Sequence, residues 1–410
     1  MFLSAIAKPG VLSAASLSAT QGVRLSLARR SFCSVRTTVS SVGGEEVDPA
    51  VCNVPTNIAD KIGRNLHLQN GHPLNTIKTI IETHFQNAST EPYVFDCVSD
   101  RHPVVTTRQC FDDLLTPDDH VSRSPSDTYY VDSKRVLRTH TSAHQTELMR
   151  EGKSAFLCTG DVYRRDEIDS SHYPVFHQME GVKIFDPAEL PNANPNSDES
   201  VEYVKTDLKR HLEGMVQAVF GDVEMRWVDA YFPFTDPSLE LEIFFEGDWL
   251  EVLGSGVIEK QILTNCNLDH TNGWAFGLGL ERLAMVLFKI PDIRLFWSED
   301  SRFSEQFHPG KVNTFVPYSK YPECYKDVSF WRPESFHEND LCDLIRGVAG
   351  DIVERVELVD EFRNEKLGKT SYCYRVTYRS MDRSLTNEEV DRLQEEVRDQ
   401  MVELLGCELR

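Results

Sequence analysis

Between Pro73 and Phe85 the apolar residues Ile77, Ile80, Ile81 and Phe85 recur at helical spacing, which predicts a helix over 73–86 with Pro73 in its first turn. RTHTSAHQTELM predicts a strand end feeding a second helix, with Ser142 as N-cap and Gln145 completing a capping box. The period then changes. From 155 to 290 polar and apolar residues mostly alternate, and the chain reads as antiparallel strands. LELEIFFEGDWLEVLGSG is a hairpin turning at Gly247, with Leu239, Leu241, Ile243 and Phe245 on one face and Glu240 and Glu242 on the other. GWAFGLGLERLAMVLF predicts a strand entering a helix near Leu280. Residues 43–58 read as a linker, 108–140 as loop-rich, and 301–318 as a connector.

From about 319 a new rhythm begins: YKDVSFW, ENDLCDLIRGVAG, VERVELVDEF, TSYCYRVTYRS, TNEEVDRLQEEVRDQMVELLG and CELR. The order β-α-β-β-α-β is the ferredoxin-like split βαβ pattern. Thr386 and Glu389 predict a capping box on its second helix, and Val390, Leu393, Val397, Met401 and Leu404 its buried stripe.

A chain of 410 residues has room for two or three domains. Its apolar runs are too short and interrupted for a membrane span. The net charge of −22 argues against a polyanion partner recognised through overall charge, so nucleic-acid binding must come from local basic patches. Ten cysteines form no C-x-x-C pair, which speaks against a zinc ribbon or redox motif and for reduced thiols. The first 42 residues depart from the rest. They carry Lys8, Arg24, Arg29, Arg30 and Arg36, are rich in Ser and Ala, and contain no acid, the first being Glu45. That is the composition of an organelle transit peptide; a disordered tail of ordinary composition would contain acids. It suits import into the mitochondrial matrix, and a plastid address is compositionally similar.

Candidate chemistry concentrates in GDVYRRDEIDSSHYPVFHQMEGVKI. It reads as strand, polar loop, returning strand. Side chains two apart share a face, so Phe176, Gln178 and Glu180 lie together, with Val175, His177 and Met179 opposite. An amide and a carboxylate in one row suit a polar ligand, and the Arg164 guanidinium can grip a phosphate bidentately. Taken singly, each residue could equally be a surface ion pair. In GWAFGLGLERLAM, Gly273, Gly277 and Gly279 allow close backbone approach. Arg282 follows in the first turn of a helix, where the dipole disfavours a cation and an anion would justify it. His140 and His144 are four apart, but no third ligand accompanies them and zinc is rejected.

These two elements resemble motifs 2 and 3 of the class II aminoacyl-tRNA synthetases. With RTHTSAHQ, YFPFTDPSLELEI and LEVLGSGV they are similar, across the chain after residue 42, to the single-chain organellar phenylalanyl branch of that family. The resemblance implies an α+β protein: a presequence at 1–42, a catalytic domain at 43–303 built on an antiparallel sheet flanked by helices, a linker at 304–318, and a ferredoxin-like anticodon-binding domain at 319–410. It implies activation of L-phenylalanine by ATP and transfer to the terminal 2′-hydroxyl of tRNA(Phe). Arg164 and Arg282 would hold the ATP phosphates, with Asp166, Ser171, His172, Phe176 and Gly279 around the nucleotide. Asp166 stands where motif 2 usually has a longer Glu. Ser142, Ala143, His144, Gln145, Gln178, Met179 and Glu180 would receive the substrate's ammonium and carboxylate. Phe232 and Phe234 would wall its ring, and Gly254, Ser255 and Gly256 would floor the pocket. For the two phenylalanines plain core packing is the bland alternative. Glu242 and Glu251 are candidates for Mg²⁺, and Lys320, Lys326, Arg375, Arg379 and Arg383 for tRNA contact. The implied state is a monomer, with the connector allowing the tail to swing. An apolar pocket rejects Tyr by only about 10²-fold, so some Tyr misacylation follows.

Overall fold

The computed structural model describes residues 39–88, 93–318 and 320–410. The expected presequence lies outside the described residues as far as 38. Val42, at its expected end, is fully buried in the main core.

The core of the larger, N-terminal part is one seven-stranded sheet. Its strands are Asp96–Val98 (β1), Ala155–Tyr163 (β2), Val175–Phe185 (β3), Glu224–Phe232 (β4), Thr235–Phe245 (β5), Asp248–Ile258 (β6) and Asn272–Gly279 (β7). The spatial order is β1-β2-β3-β7-β6-β5-β4. Only β1 and β2 run parallel; the rest are antiparallel. The β5–β6 hairpin turns through Glu246 and Gly247, whose positive φ values of 53° and 97° match the two-residue turns that follow strand twist. Leu239, Leu241 and Ile243 are buried beneath it as their alternation requires.

Helices Pro73–Ala88 (α1), Asp198–Phe220 (α2) and Leu280–Phe288 (α3) cover the core. Helix α2 falls inside the stretch read as mainly strands. Its signal is nonetheless present: Ser197 caps the N-terminus, and Val204, Leu208, Leu212, Met215 and Val219 make a buried stripe. Two other readings change. Residues 43–58 are no loose linker, because Cys52, Val54 and Ile58 sit in the core. The connector is likewise pinned: Phe303, Phe307 and Phe315 are buried with it, and the Phe315 N–H donates to the Phe288 carbonyl at 2.6 Å. Widely spaced apolar residues without a period carry no local signal, yet each finds a site in the core.

The tail follows its predicted order. Strands Cys324–Trp331 (β8), Val353–Asn364 (β9), Lys369–Tyr378 (β10) and Glu408–Leu409 (β11) alternate with helices Glu338–Ala349 (α4) and Asn387–Leu405 (α5). The sheet order β9-β10-β8-β11, all antiparallel, is that of a ferredoxin-like domain. On α5 the Thr386 hydroxyl caps the Glu389 N–H, but the Glu389 carboxylate pairs with Arg383 instead of closing the box. Val390, Val397 and Met401 are buried, whereas Leu393 and Leu404 are half-buried and Leu405 joins the stripe. Among the described residues no helix is long and apolar enough to cross a membrane.

Candidate active site

Strand register assembles the site. Glu180 on β3 stands opposite Gly277 on β7, which stands opposite Gly254 on β6, which stands opposite Glu240 on β5. Residues directly paired across strands share a face. One face therefore carries carboxylates at its ends and glycines between them, leaving a shallow trough in the sheet. No atom lies within 4 Å of where a side chain would begin at Gly277 or Gly279. A cavity of about 250 Å³ opens over this trough.

Gln178, Glu180, Gly254, Ser255 and Gly277 line the cavity from the sheet, with Phe232 and Phe234 beside them. His140, Ser142 and Gln145 enter from the turn Thr141–His144 and the helix Gln145–Arg150 behind it. The expected capping box is absent. The Ser142 hydroxyl caps nothing, and both polar atoms of the Gln145 side chain are buried without a partner. Both Glu180 oxygens are also buried and unpartnered. Burial raises the Glu180 carboxyl to about 8, a rise only partly offset by the nearby Ser142 hydroxyl. Buried polar atoms without partners cost stability, so three residues that carry such atoms around one hole mark a ligand site. His140 is the third, its Nδ1 buried and unpartnered on a ring that burial and the Arg164 charge hold neutral at about 3.

Phe232 and Phe234 stack with centroids 5.8 Å apart and planes 8° from parallel. That spacing leaves no room for a third ring between them, so the pair forms one aromatic wall and not two jaws.

Arg164 lies at the cavity rim. Its Nε donates to the Thr139 carbonyl at 2.8 Å, and its guanidinium sits 5.2 Å over the Phe176 ring. Asp166 and His172 also line the rim. Asp169 accepts from the N–H groups of Ser171 and His172 at 2.6 and 2.7 Å, and lies 2.6 Å from His172 Nδ1. That carboxylate raises the His172 ring above its ordinary value. Arg282 is outside this cavity. It lines a groove at the β5–β6 turn with Trp249 and Lys289. Register still links the two arginines: Gln178 pairs with Gly279, three residues before Arg282, and is two residues from Phe176 beneath Arg164.

Several candidates do not reach the cavity. His144 is buried between Arg138 and Glu147, receiving the Arg138 Nη1–H at Nε2 (3.0 Å) and lying 2.9 Å from the Glu147 carboxylate. Ala143 packs with Cys110, and Met179 is in the main core on the opposite face of β3. The Ser171 hydroxyl donates to Asp169. A side chain at Gly256 would meet the Pro237 carbonyl at 2.5 Å, so that glycine serves strand packing. Residues Thr116, His120, Val121, Ser122, Asp127 and Thr128 line the cavity without having been singled out; they lie in an aperiodic loop that carries no local signal.

The carboxylates Glu242 and Glu251 are direct cross-strand partners continuing the ligand face, and Arg226 pairs with Glu242 at 2.5 Å. Among the described residues only Glu167, Asp169 and His172 bring three metal-type ligand atoms within 4.8 Å, and of these Asp169 is already bonded to His172 and to the loop backbone. In the tail the candidate cations are paired: Lys326 with Asp391, Arg375 with Asp327, Arg379 with Glu323 and Glu354, and Arg383 with Glu389. Lys320 is exposed.

Comparison with known proteins identifies the family. The family model of the class II tRNA synthetase core domain (F) matches residues 57–307, and that of the ferredoxin-fold anticodon-binding domain matches 319–410. The chain is 57% identical to the chloroplastic/mitochondrial phenylalanine–tRNA ligase of Arabidopsis thaliana, covering 88% of this chain and 84% of that one. It is 50% identical to the mitochondrial phenylalanine–tRNA ligase of Dictyostelium discoideum, over 87% and 89% of the two chains. With the mitochondrial enzyme of Saccharomyces cerevisiae the identity is 41%, over 89% and 93%.

Proposed function

This chain belongs to the class II aminoacyl-tRNA synthetases, among the organellar phenylalanine–tRNA ligases, and from that premise we propose how its residues carry the reaction. The enzyme is mitochondrial and joins phenylalanine to tRNA with ATP as the energy source. The Phe carboxylate attacks the α-phosphorus of ATP, the bond to the β-phosphate oxygen breaks, and pyrophosphate leaves. The terminal 2′-hydroxyl of tRNA(Phe) then attacks the acyl carbon, gives up its proton, and displaces AMP. No covalent enzyme intermediate is needed, so catalysis is positioning and charge stabilisation.

The single observation that carries this reading is that Glu180, Gln145 and His140, each with a buried, unpartnered polar atom, line one cavity with an aromatic wall. A carboxylate, an amide and a neutral imidazole complement an amino acid's ammonium and carboxylate. Gln178 and Ser142 add polar contacts, and the Phe232–Phe234 pair meets the substrate ring edge-to-face, worth about 0.5–1.5 kcal/mol per ring pair. Gly254 and Gly277 leave the trough open to it. Arg164 grips the α-phosphate, Asp166, His172 and Phe176 frame the nucleotide, and Arg282 reaches the terminal phosphate from α3.

Glu242 and Glu251, two carboxylates side by side on the ligand face, offer the oxygen ligands a hard dication takes. They would hold Mg²⁺, which supplies positive charge against the phosphates when bound with ATP. The tail binds tRNA by trading exposed ion pairs of Lys326, Arg375, Arg379 and Arg383 for phosphates. Exposed pairs of this kind contribute at most about 1 kcal/mol, so the exchange costs little. Exposed Tyr325, under the Arg375 guanidinium at 4.2 Å, offers a surface on which a base can stack. The chain acts as a monomer, with core and tail supplied together.

Phenylalanine-dependent exchange of label between pyrophosphate and ATP, followed by charging of tRNA(Phe), tests the reading. Exchange without charging would indicate an adenylating enzyme that does not use tRNA. tRNA binding with neither step would indicate a non-catalytic paralogue.

A further inference from the structure

We propose that the C-terminal domain is a working part of the nucleotide site, with Arg346 as a positioning residue that holds the loop after Arg164 in its ATP-binding form. The inference rests on reading the cavity as the site of ATP and phenylalanine. Four consecutive loop residues find partners in the tail. Arg165 is buried and pairs with Asp340 at 2.8 Å and with Asp343 at 2.5 Å. Its carbonyl accepts from Asn339 Nδ2 at 3.0 Å. Arg346 Nη2 donates to the carbonyls of Asp166 and Glu167, each at 2.5 Å. The Ile168 side chain packs within the apolar core of the tail and not that of the catalytic domain, and its carbonyl accepts from the Val356 N–H at 3.0 Å.

Helix α4 organises this set. Asp343 and Arg346 are one turn apart and pair at 3.1 Å, and Asp343 also accepts from the Tyr129 hydroxyl of the catalytic domain at 3.0 Å. All of Arg165, Asp343 and Arg346 are under one-tenth exposed. Arg165 and Asp166 themselves line the cavity. Freed from the tail, a loop with this many charged residues would sample many backbone states, and ordering it would oppose ATP binding. Docked, it meets ATP already ordered. Coupling of this kind is reciprocal: if the docked tail favours ATP, bound ATP must favour the docked tail.

The test uses the full chain in phenylalanine-dependent pyrophosphate exchange. Arg346→Ala and Ile168→Ala should each raise the KM for ATP at least about fivefold, the lower end of typical coupling between sites. The KM for phenylalanine should stay within about twofold, the margin left for independent sites. Arg346→Lys keeps the charge without the fork and should fall between wild type and Arg346→Ala. A merely structural role would lower the active fraction, and so kcat, at an unchanged ATP KM; that result in both variants overturns the proposal. Should the variants fail to fold, hydrogen exchange of the wild-type chain decides. ATP should slow exchange over residues 338–346, and identical exchange with and without ATP overturns the proposal. A wild-type chain with no phenylalanine-dependent exchange overturns the functional reading itself, and this inference with it.

Discussion

Glu180→Gln should move stability and substrate binding in opposite directions. The Glu180 carboxyl is raised from 4.5 to about 8 by burial. A folded-state value above the unfolded one means the folded protein holds the proton more tightly. Stability contributed by the protonated form is therefore fully present below about 4.5 and lost as pH climbs toward 8. At pH 7 the chain has crossed about two and a half units of that window, and each unit is about 1.4 kcal/mol, so the acid costs the ligand-free fold roughly 3–4 kcal/mol. A neutral amide of the same shape removes that cost, and the melting temperature of the ligand-free protein should rise by several degrees, at about 2–4 °C per kcal/mol for a domain of this size. The same change removes the carboxylate that receives the substrate ammonium. Losing one partner of a desolvated charge pair costs about 2–5 kcal/mol, so the KM for phenylalanine should rise roughly 30-fold or more. The wild-type KM should also fall as pH rises from 7 toward 8, because only about a tenth of the molecules carry an ionised Glu180 at pH 7. Calorimetry and pyrophosphate exchange from pH 6.5 to 8.5 read both effects. A variant with wild-type KM and wild-type pH dependence would refute the assignment of Glu180 as the ammonium partner.

Other perturbations test neighbouring parts of the site. Gly277→Ala places a methyl in open cavity space on an ordinary strand backbone, so the melting temperature should hold while substrate KM rises by about 5- to 150-fold, the 1–3 kcal/mol of an overfilled pocket. Arg164→Lys keeps charge but loses the planar fork, and kcat for exchange should fall about 10²- to 10³-fold with the melting temperature little changed. Tyrosine should support exchange with kcat/KM about 10²-fold below phenylalanine, and discrimination far beyond that would contradict an unaided apolar pocket. Binding of tRNA should weaken steeply with salt, as ion-pair exchange requires, and solution scattering should register a change in radius if the tail leaves its dock on the loop.

Much of this was legible in the sequence, for identifiable reasons. Strict alternation in LELEIFF fixed the core face of β5 and left Glu240 and Glu242 on the ligand face. The same alternation separated Gln178 and Glu180 from Met179, although Met179 was nonetheless counted among the binding residues. Where the backbone leaves the two simple periods, spacing misleads. Across the turn Thr141–His144 it suggested a cap at Ser142, and the resemblance put both His144 and Gln145 at the substrate, whereas the turn brings Gln145 with His140 to the cavity and sends His144 toward Arg138. Helix α2 was readable from Ser197 and the Val204–Leu208–Leu212 stripe, and was obscured by the strands on either side. The contacts of Arg165 with Asp340 and Asp343 are invisible to any local pattern, because their partners lie far along the chain and meet only when both domains have folded.

The central claim is that the hole over the glycine trough takes phenylalanine and the rim takes the nucleotide. A crystal structure with a non-hydrolysable phenylalanyl-adenylate analogue tests it most directly. The account predicts the ammonium within about 3 Å of Glu180, the phosphate on the Arg164 fork, and the ring edge-on to the Phe232–Phe234 pair. An analogue bound with its ring away from that pair, or with Glu180 and Gln145 still unpartnered, would contradict it.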